Sequence, residues 1–141
     1  MTTIAACFSK KEIAADSMVS LDAAHYSVIK LRKGANSVFG AAGEWDACLK
    51  FLAALETNNL AELETDVTLL ELRKDGLWVY EGCITPAKIK NDFYAIGTGA
   101  NFAIAAMHLG ATPTEAVEIA CLYDPSSRGP VDTFKLGRRN A

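Results

Sequence analysis

The chain has 141 residues, of which 50% are apolar and 22% are charged, and its formal net charge at pH 7 is −3. This length and apolar content are typical of one folded domain over residues 1–141, and the composition excludes an intrinsically disordered chain. The mild acidity argues against a nucleic-acid partner, because nucleic-acid-binding proteins usually carry a basic face. The polar residues 137–141 are expected to form a loose tail.

The sequence indicates neither a membrane protein nor a metalloprotein. Its most apolar stretch, "ANFAIAAMHLGA", is too short to span a bilayer and contains His108. The first residues lack the basic-then-apolar pattern of a secretory signal, so we expect a cytoplasmic protein without a membrane partner. The cysteines are scattered through apolar segments and are expected to be buried free thiols, with no metal and no cofactor bound: Cys7, Cys48, Cys83 and Cys121.

The first third of the chain reads as two pairs of strands. The segments "TTIAACF" and "EIAAD" predict two short strands joined by a polar turn at "SKK". A second pair is predicted from Val28 to Leu31 and from Ser37 to Gly40, around the turn "KGAN".

The spacing of apolar residues changes at Glu44, where steps of three and four predict an amphipathic helix. The polar segment "ETNNLAELET" is expected to end this helix. Its predicted buried stripe consists of Trp45, Cys48, Leu49, Leu52 and Leu55.

The second half begins with a predicted hairpin, "DVTLLELRKDGLWVYEG", with its turn at Asp75-Gly76. A short strand, "DFYAIGTG", and a helix rich in small residues, "ANFAIAAMHLG", follow it. The last predicted strand runs from Val131 to Leu136.

A further helix is predicted at "TPTEAVEIACLYD", where Thr112 fits the N-cap, Pro113 the first helical position and Glu115 the reciprocal capping residue. Val117, Ala120 and Cys121 form its predicted buried stripe. Because strands pair locally and helices come in blocks, the element order predicts an α+β fold rather than alternating βαβ units.

The start of the chain raises a chemical possibility at Thr2. Removal of Met1 would leave an α-amine and a β-hydroxyl on one residue. An unperturbed α-amine has a pKa of about 7.7–8.0, so a good fraction is unprotonated near neutrality. It could take the proton of the hydroxyl while the oxygen attacks a carbonyl carbon. The alternative is that Thr-Thr-Ile is only a β-favourable strand start.

Seven short motifs, each common by itself, follow one another over most of the chain. In this order and at these spacings they resemble the proteasome β-subunit family, and within it the HslV-type peptidases, of the N-terminal nucleophile hydrolase superfamily. The motifs are Thr2-Thr3-Ile4, Ala14-Ala15-Asp16, Lys30-Leu31, Gly43 with Asp46, Gly97-Thr98-Gly99, Pro113 to Ala116, and Asp124 with Ser127 before Arg128-Gly129.

This resemblance implies a four-layer αββα sandwich, in which two antiparallel sheets are flanked by helices. It implies that Thr2 is the nucleophile and that its own amine is the base. Lys30 would lower the pKa of that amine through its positive charge, and Asp16 would orient Lys30. The simpler alternatives are a solvated strand lysine and a turn aspartate.

The resemblance assigns supporting roles to four further residues. The backbone N–H of Gly43 would donate to the developing oxyanion. Thr98 would lie near the amine, where the family often has serine. Asp124 and Ser127 would support the site from a distant loop; the alternative for these two is an ordinary helix end and loop.

As an enzyme of this type, the chain would cleave peptides or unfolded proteins inside a homo-oligomer, and the family implies an ATP-dependent unfoldase as a partner. The chain departs from the family because a second long helix is missing before the Gly97 turn, where a hairpin is predicted. That helix contributes to subunit contacts in the family, so its loss argues against ring assembly and the unfoldase. The alternative function is a non-catalytic structural or interaction subunit with the same sandwich.

Overall fold

A computed structural model describes residues 2–21, 24–56, 66–82 and 85–137 of the chain. Cys83 and the predicted tail beyond Gly137 lie outside the described residues. The elements are β1 (Thr3–Cys7), β2 (Glu12–Ala15), β3 (Met18–Leu21), β4 (Ala24–Ser27), β5 (Leu31–Lys33), β6 (Ser37–Ala42), α1 (Trp45–Glu56), β7 (Thr68–Arg73), β8 (Gly76–Glu81), β9 (Ala87–Ile89), β10 (Phe93–Gly97), α2 (Ala100–His108), α3 (Pro113–Tyr123) and β11 (Asp132–Lys135).

Two antiparallel sheets form the centre of the molecule. The first has the strand order β10-β1-β2-β11 and the second the order β5-β6-β7-β8-β9, while β3 and β4 form a separate hairpin. Helices α2 and α3 pack on the outer face of the first sheet, and α1 packs on the outer face of the second. The predicted four-layer αββα sandwich is therefore confirmed.

Alternation along the strands produces the layers, because successive side chains of a strand point to opposite faces. In β1, Ile4 and Ala6 enter the core between the sheets, whereas Ala5 enters the core beneath α2 and α3. The small side chains of Ala5, Ala14 and Ala95 give this helix layer a flat surface to pack on. The inter-sheet core is completed by larger residues of the second sheet, Leu31, Val38, Leu70, Leu72, Leu77 and Val79.

Several predicted elements are confirmed. The β1–β2 and β7–β8 hairpins form as expected. At α3 the capping box is complete, because Thr112 accepts from the backbone N–H of Glu115 and the Glu115 carboxylate accepts from that of Thr112. The described residues between α1 and the Gly97 turn form strands and no helix, in agreement with the shortening inferred from the sequence.

Other details differ from the predictions. The β7–β8 turn is Lys74–Asp75, and Gly76 already pairs with Arg73 as a strand residue. In α1, Leu49 was predicted to be buried but is exposed, and Phe51 lies in the core instead. The strand predicted from Val28 begins only at Leu31, because Val28 to Lys30 lead from the unpredicted β3–β4 hairpin into the sheet.

Candidate active site

Five residues of the sequence motifs lie directly outside strand ends at one end of the sandwich. Antiparallel pairing aligns the start of β1 with the ends of β2 and β10, since Ile4 pairs with Ala15 and Thr3 with Gly97. The start of β5 similarly lies beside the end of β6. The residues brought to this end are Thr2, Asp16, Lys30, Gly43 and Thr98.

The Lys30 ammonium joins the two sheets at this end. Its Nζ atom lies 3.1 Å from Thr2 Oγ1 and 2.9 Å from Asp16 Oδ1. The side chains of Lys30 and Asp16 are 1% and 0% exposed, and Thr2 is 5% exposed. Burying a charge is costly unless it is paired and hydrogen-bonded, so the solvated-lysine interpretation does not apply to Lys30.

Asp16 holds Lys30 in place with a carboxylate whose two oxygens each accept two hydrogen bonds. Oδ1 accepts from Lys30 and from the backbone N–H of Thr3, at 2.9 and 3.0 Å. Oδ2 accepts from the backbone N–H groups of Met18 and Arg128, at 3.3 and 3.2 Å. A carboxylate has about four lone-pair sites, so these four contacts fix both the position and the orientation of Asp16.

A second polar network approaches Thr2 from the loop after α3. Thr98 Oγ1 lies 3.4 Å from the Thr2 backbone nitrogen and donates to Asp124 at 2.7 Å. Ser127 donates to the same carboxylate at 2.6 Å and lies 2.7 Å from Thr3 Oγ1. Burial alone would raise the pKa of Asp124, but the hydrogen bonds from Ser127, Thr98 and the Ser126 backbone outweigh it and keep this pKa below its ordinary value.

Two glycines allow the backbone to approach Thr2 and Thr3 this closely. Gly97 has φ = +95°, and a Cβ atom there would collide with the carbonyl group of Thr2. A Cβ atom at Gly99 would collide with Thr3 Oγ1. The glycines of the "GTG" turn are therefore required by the closeness of β1 to the start of α2.

Thr2 and Gly43 border two cavities. The smaller, of about 150 Å³, has largely apolar walls that include Met18, Val19 and Trp45. The larger, of about 320 Å³, is bordered on its other sides by Asp66, Thr68 and Thr98, among others. A bound molecule could thus approach the Thr2 hydroxyl from either side of Gly43.

The structure also brings in residues that the sequence interpretation missed. The Thr3 side chain is completely buried and touches Ser127, although the interpretation gave it no role. The Arg128 backbone and the β3–β4 hairpin supply contacts to Asp16 and a wall of the smaller cavity. The repeated threonine of "MTTI" was an available signal for Thr3, whereas backbone contacts leave no trace in residue type.

The thiols of the described residues take no part in the hydrogen bonds of this network. Cys7, Cys48 and Cys121 are free, and the first two are buried. Burial raises the pKa of both Cys48 and Cys121 to about 11, so these thiols are protonated near neutrality. Among the described ranges no group of three or more His, Cys, Asp or Glu residues is arranged to hold a metal ion. None of the described helices has the length and apolarity needed to cross a bilayer.

Comparison with known proteins identifies the architecture. No protein-family model matches the sequence, and no curated protein matches it. Eukaryotic HslV from Trypanosoma brucei superimposes with a TM-score of 0.75 at 21% identity, covering 94% of this chain and 97% of that one. The BPH protein of Thiobacillus denitrificans, solved in complex with epoxomicin, gives a TM-score of 0.70 at 19% identity, covering 97% and 99%. BPH in a second structure gives 0.66 at 18% identity, covering 98% and 99%. The chain therefore has the proteasome β/HslV-type fold of the N-terminal nucleophile hydrolases.

Proposed function

We propose that the chain is a threonine-type N-terminal nucleophile hydrolase that cleaves amide bonds of peptides, with Thr2 as the nucleophile. The observation that carries this proposal is the buried contact of 3.1 Å between Lys30 Nζ and Thr2 Oγ1, backed by Asp16. A lysine and an aspartate at 1% and 0% exposure require a reason for their burial. Stabilising a reactive hydroxyl beside two cavities supplies one.

The reaction begins once hydrolysis of the Met1–Thr2 bond has exposed the Thr2 amine. The amine accepts the hydroxyl proton, directly or through a water molecule, as Oγ1 forms a bond to the substrate carbonyl carbon. Collapse of the tetrahedral intermediate breaks the C–N bond, and the amine gives its proton to the leaving nitrogen. Water then cleaves the ester, which releases the acid and restores the Thr2 hydroxyl.

Lys30 acts electrostatically in this scheme. Its positive charge stabilises negative charge that develops on Oγ1 and lowers the pKa of the adjacent amine, so that more of the amine is available as a base. Asp16 keeps the ammonium in place and compensates its charge.

The remaining motif residues hold the reacting groups in position. Thr98 accepts a hydrogen bond from the Thr2 nitrogen, and Asp124 in turn orients Thr98. Ser127 ties Asp124 to Thr3 at the beginning of β1. Gly43, which borders both cavities beside Thr2, is proposed to donate its backbone N–H to the oxyanion.

The setting of the enzyme belongs to the same proposal. We propose that residues 1–141 form one proteasome-like domain that works in a cytoplasmic homo-oligomer on peptide or unfolded-protein substrates. Free thiols at Cys7, Cys48 and Cys121 support a reducing compartment. Exposed apolar side chains on and beside α2 and α3 support self-association, which particle mass from light scattering tests: Phe102, Leu109, Ile119, Leu122 and Tyr123. The ATP-dependent unfoldase remains a prediction from the sequence resemblance.

Intact mass and covalent labelling test the nucleophile. Untagged protein should lose one methionine, and it should then gain one molecule of epoxomicin, the compound found with BPH. Thr2→Ala should remain unlabelled, whereas Thr133→Ala, which removes a hydroxyl from an exposed residue of β11, should label like the parent. Labelling of Thr2→Ala at the parental rate would reject Thr2. Retention of Met1 together with failure to label would favour the non-catalytic subunit.

A further inference from the structure

We infer that Asp66 is a specificity-determining residue of this site and selects peptides with a basic side chain next to the cleaved bond. This inference rests on the proposed function and names its substrate class. Asp66 lines the cavity of about 320 Å³ that Thr2 and Gly43 also border. A substrate side chain that enters this cavity from a carbonyl at Thr2 therefore meets Asp66 in the cavity wall.

Asp66 is available to a ligand. It is exposed, and within the described ranges its carboxylate has neither an ion pair nor a hydrogen bond. The cavity walls nearby are polar but uncharged, since Thr68 and Thr98 contribute hydroxyls and the remaining members, Ala42 and Gly97, are small. Asp66 is thus the one charged residue among the described residues that line this cavity.

The other charges near Thr2 do not cancel that of Asp66. Lys30 is compensated by its ion pair with Asp16. Arg128 lies beside His25, with 3.4 Å between Nη1 and Nε2, and His25 pairs across the hairpin with Ser20, which lines the smaller cavity. Glu44 lines that smaller cavity as well. The larger cavity therefore has an uncompensated negative charge.

A lysine or arginine side chain in this cavity would form a charge-assisted hydrogen bond with Asp66. A glutamate or aspartate would meet a like charge instead. The walls of the smaller cavity are mainly apolar, from Met18, Val19 and Trp45, so it takes an apolar group beside the acidic lining residue Glu44. The combination predicts substrates with an apolar side chain on one side of the cleaved bond and a basic side chain on the other.

The test compares matched peptides in which one residue is lysine or its uncharged analogue norleucine, placed on either side of the cleaved bond. We measure kcat/KM and, by fluorescence anisotropy, the Kd of the same peptides. The native protein should prefer lysine on one side by up to about fivefold, the range of an exposed charge pair. Asp66→Asn should remove the preference, and 1 M NaCl should reduce it in the native protein.

Asp75→Asn is the matched control, because Asp75 is an exposed carboxylate in the turn at the opposite end of β7. It should keep the native lysine preference. If the native protein and Asp66→Asn show the same preference for lysine over norleucine, in kcat/KM and in Kd, the inference is overturned, whereas the proposed hydrolase function is not. If no peptide is cleaved, the proposed function fails, and the anisotropy comparison alone then decides whether Asp66 selects basic peptides.

Discussion

Two polar clusters in this molecule have the same chemical composition and different surroundings. Asp16, Lys30 and Thr2 combine a carboxylate, a cation and a hydroxyl at the end of the sandwich. Glu71, Arg73 and Tyr80 combine the same groups on the outer face of the second sheet, with Glu71 Oε1 accepting from Arg73 Nε and Tyr80 Oη at 2.9 Å each.

The difference lies in access and in the partners of the hydroxyl. Thr2 borders two cavities, whereas the Tyr80 ring is buried against Phe51 of α1, with ring centroids 6.0 Å apart. Arg73 is 33% exposed and stacks over Trp78, whereas Lys30 is enclosed and donates to Thr2 and Asp16. Composition alone therefore does not distinguish the two clusters. They differ in that the Thr2 hydroxyl borders open volume beside an enclosed cation, and the proposed nucleophile rests on this feature.

The largest contrast should appear when each hydroxyl is removed. Thr2→Ala should lower kcat about 10⁴-fold or more, because it removes the proposed attacking atom. Tyr80→Phe should leave kcat within about twofold, since Tyr80 lies outside the proposed site, and should cost about 1–2 kcal/mol for its two hydrogen bonds, with Glu71 and Arg73. Peptide hydrolysis and urea unfolding measure the two effects. Similar losses of kcat in both variants would erase the distinction between the clusters.

Removing each cation should separate the clusters by stability as well. Lys30→Met leaves the buried Asp16 charge uncompensated and should cost about 3–5 kcal/mol. Arg73→Met leaves Glu71 with Tyr80 as a partner and should cost about 1–2 kcal/mol, less than Lys30→Met, because Arg73 itself is one-third exposed. Urea midpoints of both variants measure this. The kcat of Lys30→Met is measured under conditions in which circular dichroism shows the variant to be folded. A kcat equal to that of the native protein would refute the proposed role of the Lys30 charge.

The smallest effects concern pH, and they have opposite signs at Asp124, in the network beside the first cluster, and at Tyr80, in the second cluster. The pKa of Asp124 lies below its unfolded value, so its contribution to stability is present above about pH 4 and is lost as the pH falls. Burial and the Glu71 charge raise the pKa of Tyr80, so stability should fall as the pH rises above about 10. Asp124→Asn should flatten only the acid limb of the stability profile, and Tyr80→Phe only the alkaline limb. Melting temperatures measured across the pH range test this prediction. An acid limb flattened by Tyr80→Phe, or an alkaline limb flattened by Asp124→Asn, would contradict it.

The sequence predicted best those elements whose signals are local. The capping residues of α3 and the apolar runs around "RKDG" specify their structures through neighbours in the chain. The β3–β4 hairpin carries no such signal, because every residue of β4 is exposed and has no apolar alternation. Phe51 replaced Leu49 in the core of α1 because the orientation of the helix on the sheet, and not its period, decides which face is covered.

The site was predicted through the resemblance rather than through local pattern. Lys30 is 28 residues from Thr2 and 14 from Asp16, so only the sheet registers bring them together. Asp66 could not be found from the sequence in the same way. Its position depends on the path that the backbone takes beside Gly43 just before β7. An aspartate in a polar stretch of sequence gives no indication of that path.

The four hydrogen bonds accepted by the Asp16 carboxylate limit which residues of such a protein can be substituted during evolution. This carboxylate ties together the start of β1, the start of β3, the lysine before β5 and the loop after α3. The Thr2 hydroxyl contacts this assembly through Lys30. A descendant without the proposed activity could therefore lose the Thr2 hydroxyl and keep its architecture, but replacing Asp16 would require changes in four distant segments at once. Relatives that lack the proposed activity should accordingly have lost Thr2 first and should have kept Asp16 longest.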